Sequence, residues 1–125
     1  MPAKVVDASV VAAWCFREPR SGEALSLLSG ADIYAPMLLA YELTSIARRK
    51  VLTYPGKSAS IEQALLTALS LPIQWSDVDH LTVMRMAVAA DITTYDASYL
   101  YLARKMGAAL VTFDKQLERV SRKTS

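Results

Sequence analysis

Four short apolar segments punctuate this chain, and most are separated by stretches with helical periodicity. That alternation constrains the fold more than any other feature. Residues 3–7 (AKVVD) read as a buried strand, and a helix opens at Ser9 and runs to the REPRSG turn. Ser21 to Leu28 is a second helix, and residues 32–35 form a brief strand closed by Pro36. The helix predicted over 37–51 carries Leu39, Leu43, Ile46 and Ala47 on one face, the spacing of a 3.6-residue period. After the YPGK turn, Ser60 and Gln63 offer a capping box for a helix that turns Ile61, Leu65 and Leu69 inward. Leu71 to Trp75 reads as a strand. Ser76 with Asp79 repeats the capping signal, and Leu81, Met84 and Val88 give the next helical stripe. A helix over 96–106 stops at Gly107, Ala108 to Phe113 is a buried strand, and a final helix starts at Lys115.

Strands that alternate with helices predict an α/β fold with a mainly parallel central sheet. Its length of 125 residues predicts one domain spanning 1–125. With 53% hydrophobic residues the chain can fill a core, yet no apolar run reaches the roughly 20 residues of a membrane span. The single cysteine, Cys15, allows no internal disulfide; with no leader pattern at the start, this predicts a cytoplasmic protein. Net charge is only +2 but unevenly spread. From residue 100 onward six basic residues face two acids, and Arg48-Arg49-Lys50 forms a second basic cluster. Basic clusters attract phosphates, although cations at a helix end also offset the helix dipole.

In sheets of this kind ligands bind beyond the carboxyl ends of the strands. Asp7 stands at the end of the first strand and Asp114 at the end of the last. If those strands are neighbours, the two carboxylates meet at one edge. Asp96 lies in a first helical turn, and Glu42 borders the apolar stripe of its helix. Each has an ordinary explanation: a helix cap for Asp7 and Asp114, a dipole-favoured acid for Asp96, an edge residue for Glu42. Together they can converge, where mutual repulsion would raise their pKa values and a divalent cation would relieve it. Carboxylates without nearby His or Cys suit Mg²⁺ or Mn²⁺. The only histidine, His80, reads as a surface or structural residue. A metal held by acids, with lysines and arginines around it, fits hydrolysis of a phosphodiester.

The stretches VVDAS (5–9), YEL (41–43), TTYDASYLYLA (93–103) and LVTFDKQL (110–117) resemble, in order and spacing, the four motifs of PIN-domain proteins, nearest to the VapC-type toxins of toxin–antitoxin modules. The resemblance covers essentially the whole chain. It implies a three-layer fold with a sheet of four to five strands and a Mg²⁺-dependent endoribonuclease, with Mn²⁺ able to substitute. It places Asp7, Glu42, Asp96 and Asp114 as catalytic and metal-binding acids, supported by Ser9 and Thr112. It further implies an RNA substrate, an antitoxin partner that covers the site, and a homodimer. The aliphatics at 38–46 and 61–71 are consistent with a partner surface as well as with core packing. Phe113 departs from the family's usual small residue and should narrow the site or shift its rim.

Other readings fit less well. An aspartyl-nucleophile phosphatase wants a second acid where Ser9 stands. A receiver-type signalling domain wants a central strand-end Asp that the region around 52–60 lacks. A PIN-like module without activity would lack one of the acids, and none is missing. A PIN nuclease of RNA processing that has no antitoxin is not distinguished by the chain itself.

Overall fold

The computed structural model describes residues 1–123. The strands are β1 (Ala3–Val6), β2 (Asp32–Pro36), β3 (Gln74–Ser76) and β4 (Ala109–Val111). The helices are α1 (Ala8–Cys15), α2 (Ser21–Leu28), α3 (Leu38–Thr53), α4 (Ser58–Leu69), α5 (His80–Ala90), α6 (Thr94–Met106) and α7 (Lys115–Lys123). The strands form one parallel sheet in the order β3-β2-β1-β4. Side chains alternate between the faces of a strand, and the successive residues Val5 and Val6 are both fully buried. Both faces of the sheet are therefore covered, as the α/β reading requires.

The chain starts at β1, moves outward through β2 to β3, and returns to place β4 on the other side of β1. The direction of winding thus reverses between β1 and β4. A crevice opens at such a reversal, beyond the carboxyl ends of the two strands. Register fixes what arrives there: Val6 lies opposite Val111, and the Asp7 N–H donates to the Val111 carbonyl at 3.3 Å. The core beneath is built from Val5, Val6, Leu39, Leu43, Tyr99 and Leu102.

Several local expectations shift. Helix α1 starts at Ala8, and its cap is Asp7 rather than Ser9. The capping box at Ser60 and Gln63 does not form: a 3₁₀ turn over Pro55–Lys57 runs directly into α4, and Ser60 donates back to the Lys57 carbonyl. The third strand is only Gln74–Ser76, because Pro72 has no N–H to give to a ladder; Ile73 enters the core from the loop before it. Ser76 pairs with Pro36 in the sheet, so Asp79 alone caps α5, accepting from the Thr82 N–H at 3.2 Å.

The stripe of Leu81, Met84 and Val88 faces outward; Val83 and Ala87 turn to the core instead. The two stripes are one residue apart, about 100° around the helix, and both have helical spacing. Small Ala87 lets α5 approach α6, where a leucine or methionine would not fit as closely. In the segments 38–46 and 61–71, Leu39, Leu43, Ile61 and Ala68 are core, while Tyr41 and Leu66 remain exposed. His80 is exposed at the start of α5. Gly107 closes α6 in the left-handed conformation (φ 63°), as its position predicts.

Candidate functional site

Asp7 leaves β1 in extended conformation and caps α1. Its Oδ1 accepts the Ser9 N–H at 3.1 Å, the Val10 N–H at 3.4 Å and the Ser9 hydroxyl at 2.6 Å. Its Oδ2 accepts the Thr112 hydroxyl. Asp7 is thus both the cap of α1 and a candidate site acid. Only 6% of Asp7 is exposed. Burial pushes its carboxyl above the ordinary value, against the pull of the Ser9 and Thr112 hydroxyls and the two N–H groups.

Ser9 and Thr112 join the start of α1 to the end of β4. The Ser9 Oγ gives its proton to Asp7 and accepts the Phe113 N–H at 2.9 Å. The Thr112 Oγ1 gives its proton to Asp7 and accepts the Asp114 N–H at 2.9 Å. Each hydroxyl is therefore used as donor and acceptor at once, which fixes the orientation of Asp7. Asp114 caps α7, with Oδ1 accepting the Leu117 N–H at 2.8 Å, and it stands exposed at the mouth of the crevice.

Asp96 is in the first turn of α6, whose cap Thr93 accepts the Asp96 N–H at 3.0 Å. Its half-buried carboxyl is raised by burial and then by the charges of Asp114 and Asp7; the Thr93 hydroxyl opposes this. Glu42 lies on α3 beside the core-facing Leu39 and Leu43. Burial raises its pKa most, and Asp7 and Asp96 add to this; the Tyr99 hydroxyl, donating to Oε1 at 2.5 Å, lowers it. Asp7, Asp96 and Asp114 are in mutual electrostatic reach through Asp96, and Glu42 senses both Asp7 and Asp96.

The four acids are thus linked by charge interactions around the end of β1, Glu42 and Asp96 each sensing Asp7 and Asp96 sensing Asp114. They do not close into a cage: among the described residues no three His, Cys, Asp or Glu side chains converge tightly enough to hold a metal by themselves. The donor set still fits a hard divalent cation. It is all oxygen, three members are held above their ordinary pKa, and Mg²⁺ commonly takes only one or two carboxylates and keeps its waters.

The basic cluster divides. Lys50 pairs with Glu18 at 2.9 Å and lies 5.4 Å from the Phe16 ring centroid, whereas Arg49 reaches the cleft beside Glu42, a space of about 370 Å³ also edged by Tyr41 and Tyr95. Arg48 is exposed. Phe113 does form part of the rim, with the Arg20 guanidinium 3.7 Å from its ring centroid. Sequence reasoning missed Tyr99, Thr93, Arg49 as a cleft residue, and Arg20. For Tyr99 a signal existed: it follows Asp96 by three residues, on the same helix face.

The PIN domain family matches residues 4–123. Ribonuclease VapC3 of Pyrobaculum aerophilum is 33% identical over 118 residues, which cover 90% of each chain. Ribonuclease VapC9 of Mycobacterium tuberculosis is 32% identical over 113 residues, 90% of this chain and 87% of its own. The crystal structure of PAE2754 from Pyrobaculum aerophilum superposes with a TM-score of 0.78 at 27% identity, covering 95% of this chain and 86% of that one.

Proposed function

The chain belongs to the PIN-domain family, and on that premise we propose that it is a divalent-metal-dependent endoribonuclease and the toxin of a toxin–antitoxin pair. What supports this reading is the charge coupling of Asp7, Glu42, Asp96 and Asp114, which come from four separate segments, around the end of β1 where the sheet order reverses. On this reading residues 1–125 are a single PIN domain.

Asp7, Asp96, Glu42 and Asp114 would hold Mg²⁺, or Mn²⁺ in its place. Bound there, the ion supplies charge to polarise the phosphoryl oxygen and lowers the pKa of an attacking water. The remaining work falls to the protein. Ser9 and Thr112 keep Asp7 aimed at the crevice, and Tyr99 holds Glu42 through Oε1. Arg49 lies at the cleft wall, where it would bind an RNA phosphate that the acids alone would repel.

The partner would be an antitoxin that covers the acids, and a second copy of the chain would form the homodimer. Leu81, Met84 and Val88, exposed along α5, support an apolar contact of that kind. No helix among the described residues is long and apolar enough to cross a membrane; on this reading the protein would act on RNA in the cytoplasm. The test is cleavage of total RNA by wild type, Asp7→Asn and Asp96→Asn. Cleavage should require Mg²⁺ or Mn²⁺ and both acids; undiminished cleavage by both variants, or by wild type in excess EDTA, rejects the reading.

A further inference from the structure

Beside the acids lies a second cavity of about 440 Å³, which is within the usual range of small-molecule pockets. Ser9, Ala13, Ile46 and Phe113 form much of its wall, and Arg20 and Arg49 bring two guanidinium groups to it. Ser9 belongs to this wall and also donates to Asp7, so the cavity adjoins the carboxylate cluster directly.

Arg20 is held in an unusual way for a surface cation. One face of its guanidinium rests on the Phe113 ring, 3.7 Å from the centroid, and its Nη2 donates to Glu23. Phe113 is itself packed against Val10, Ala13 and Ala24, so the ring is anchored in the protein. The Arg20 side chain nevertheless stays 53% exposed. A guanidinium seated this close over an anchored ring, and still more than half exposed, offers a planar surface on which an unpaired base can stack. The acid at the cavity edge, Glu18, is paired with Lys50 and does not set an unbalanced charge against a polyanion.

We propose that Arg20, laid flat on Phe113, is the stacking platform for one unpaired nucleobase next to the scissile phosphate, with Arg49 holding that nucleotide's backbone. The proposal rests on the ribonuclease reading and gives it a preference: RNA is engaged where a nucleotide is free to leave the stack, and a continuous duplex is not. A lysine at position 20 would keep the charge but not the plane.

The test reads binding rather than cleavage. All proteins carry Asp96→Asn and are given Mg²⁺. The ligands are a short labelled single-stranded RNA, the same strand with one abasic nucleotide scanned along it, and a duplex of equal length. With Arg20 present, the abasic nucleotide at one position should weaken binding by roughly 5-fold or more. Arg20→Lys should lose a similar factor on the intact strand and nothing further at the abasic position, with duplex affinity unchanged. Phe113→Leu, which removes the ring under Arg20, should show the same pattern with a smaller loss. Arg49→Ala should weaken single strand and duplex together and flatten the salt dependence. Full single-strand affinity in Arg20→Lys, or equal losses on intact and abasic strands, overturns the proposal. Absence of metal-dependent cleavage by the unmodified protein, with the Arg20 pattern intact, rejects only the nuclease reading.

Discussion

Tyr99 is 1% exposed, and its hydroxyl donates to Glu42 Oε1 at 2.5 Å. A buried phenol therefore decides where one acid of the crevice points. Tyr99→Phe keeps the ring and the packing but leaves the half-buried Glu42 without this donor. We expect a stability loss of about 1 kcal/mol and a fall of roughly 10-fold in apparent Mg²⁺ affinity. Thermal melting and metal titration of cleavage check the two parts. Neither would move if Tyr99 were only a packing residue, since phenylalanine keeps the packing.

Thr112 stands in both a donor and an acceptor role, to Asp7 and from Asp114. Thr112→Val keeps the shape and removes both bonds. It should cost about 1–3 kcal/mol, since Asp7 is buried and loses a partner. Ser9→Ala removes a parallel pair of bonds, to Asp7 and from Phe113. The two losses should not add in the double variant, because they act on the same carboxylate. Denaturant unfolding of the four proteins measures the coupling, and strict additivity would contradict the shared-carboxylate account.

The acids also set a pH dependence. Asp7, Glu42 and Asp96 have pKa values raised in the folded chain, in each case chiefly by burial. Each thus binds its proton more tightly when folded, which stabilises the fold below the unfolded carboxyl values near 4. That stabilisation is lost as pH rises through the folded values. In EDTA the melting temperature should therefore fall, on account of these groups, as pH rises from about 4 toward neutrality. Asp96→Asn should flatten the fall and melt higher than wild type at neutral pH while abolishing cleavage. On the proposed reading, excess Mg²⁺ at neutral pH should restore stability to wild type by binding the folded crevice and not the unfolded chain. A profile in EDTA that is the same for wild type and Asp96→Asn would contradict the assignment.

Cys15 offers a fourth check, outside the crevice. Burial, with help from the charge of Glu18, pushes its thiol up to about 12. At pH 8 the thiolate fraction is then on the order of 10³-fold below that of a free cysteine. Alkylation by iodoacetamide should be slower by about that factor in the native protein and normal in denaturant, as read by mass spectrometry. Rapid native alkylation would place Cys15 in a more polar setting.

How much was legible before the structure depends on which residues carried the signal. Asp7 and Asp114 were readable because strands end where apolar runs end, and a parallel sheet sends those ends to one edge. Glu42 stood out because an acid beside a buried stripe is costly. The phase of α5 was not readable: Leu81 and Val83 both fit a helical period, and only the packing of Ala87 on α6 chooses between them. The capping boxes misled because Ser60 and Ser76 already have other bonds, one to a helix carbonyl and one to the sheet. For Tyr99 the spacing from Asp96 signalled a shared helix face, but not its partner: Glu42 is 57 residues away, and that pairing is made only where the fold brings α3 and α6 together. How near the four acids lie to one another was not readable, since pattern gives an edge and not a coordination distance.

The Thr112 hydroxyl bond to Asp7 and the Phe113 N–H bond to the Ser9 hydroxyl each span more than a hundred residues of chain. A polypeptide synthesised only as far as α6 has Asp7, Glu42 and Asp96 but neither Thr112 nor Asp114. Its first carboxylate is unbraced and its fourth does not yet exist. On the proposed reading the crevice would therefore be complete only once the last strand has left the ribosome and docked beside the first.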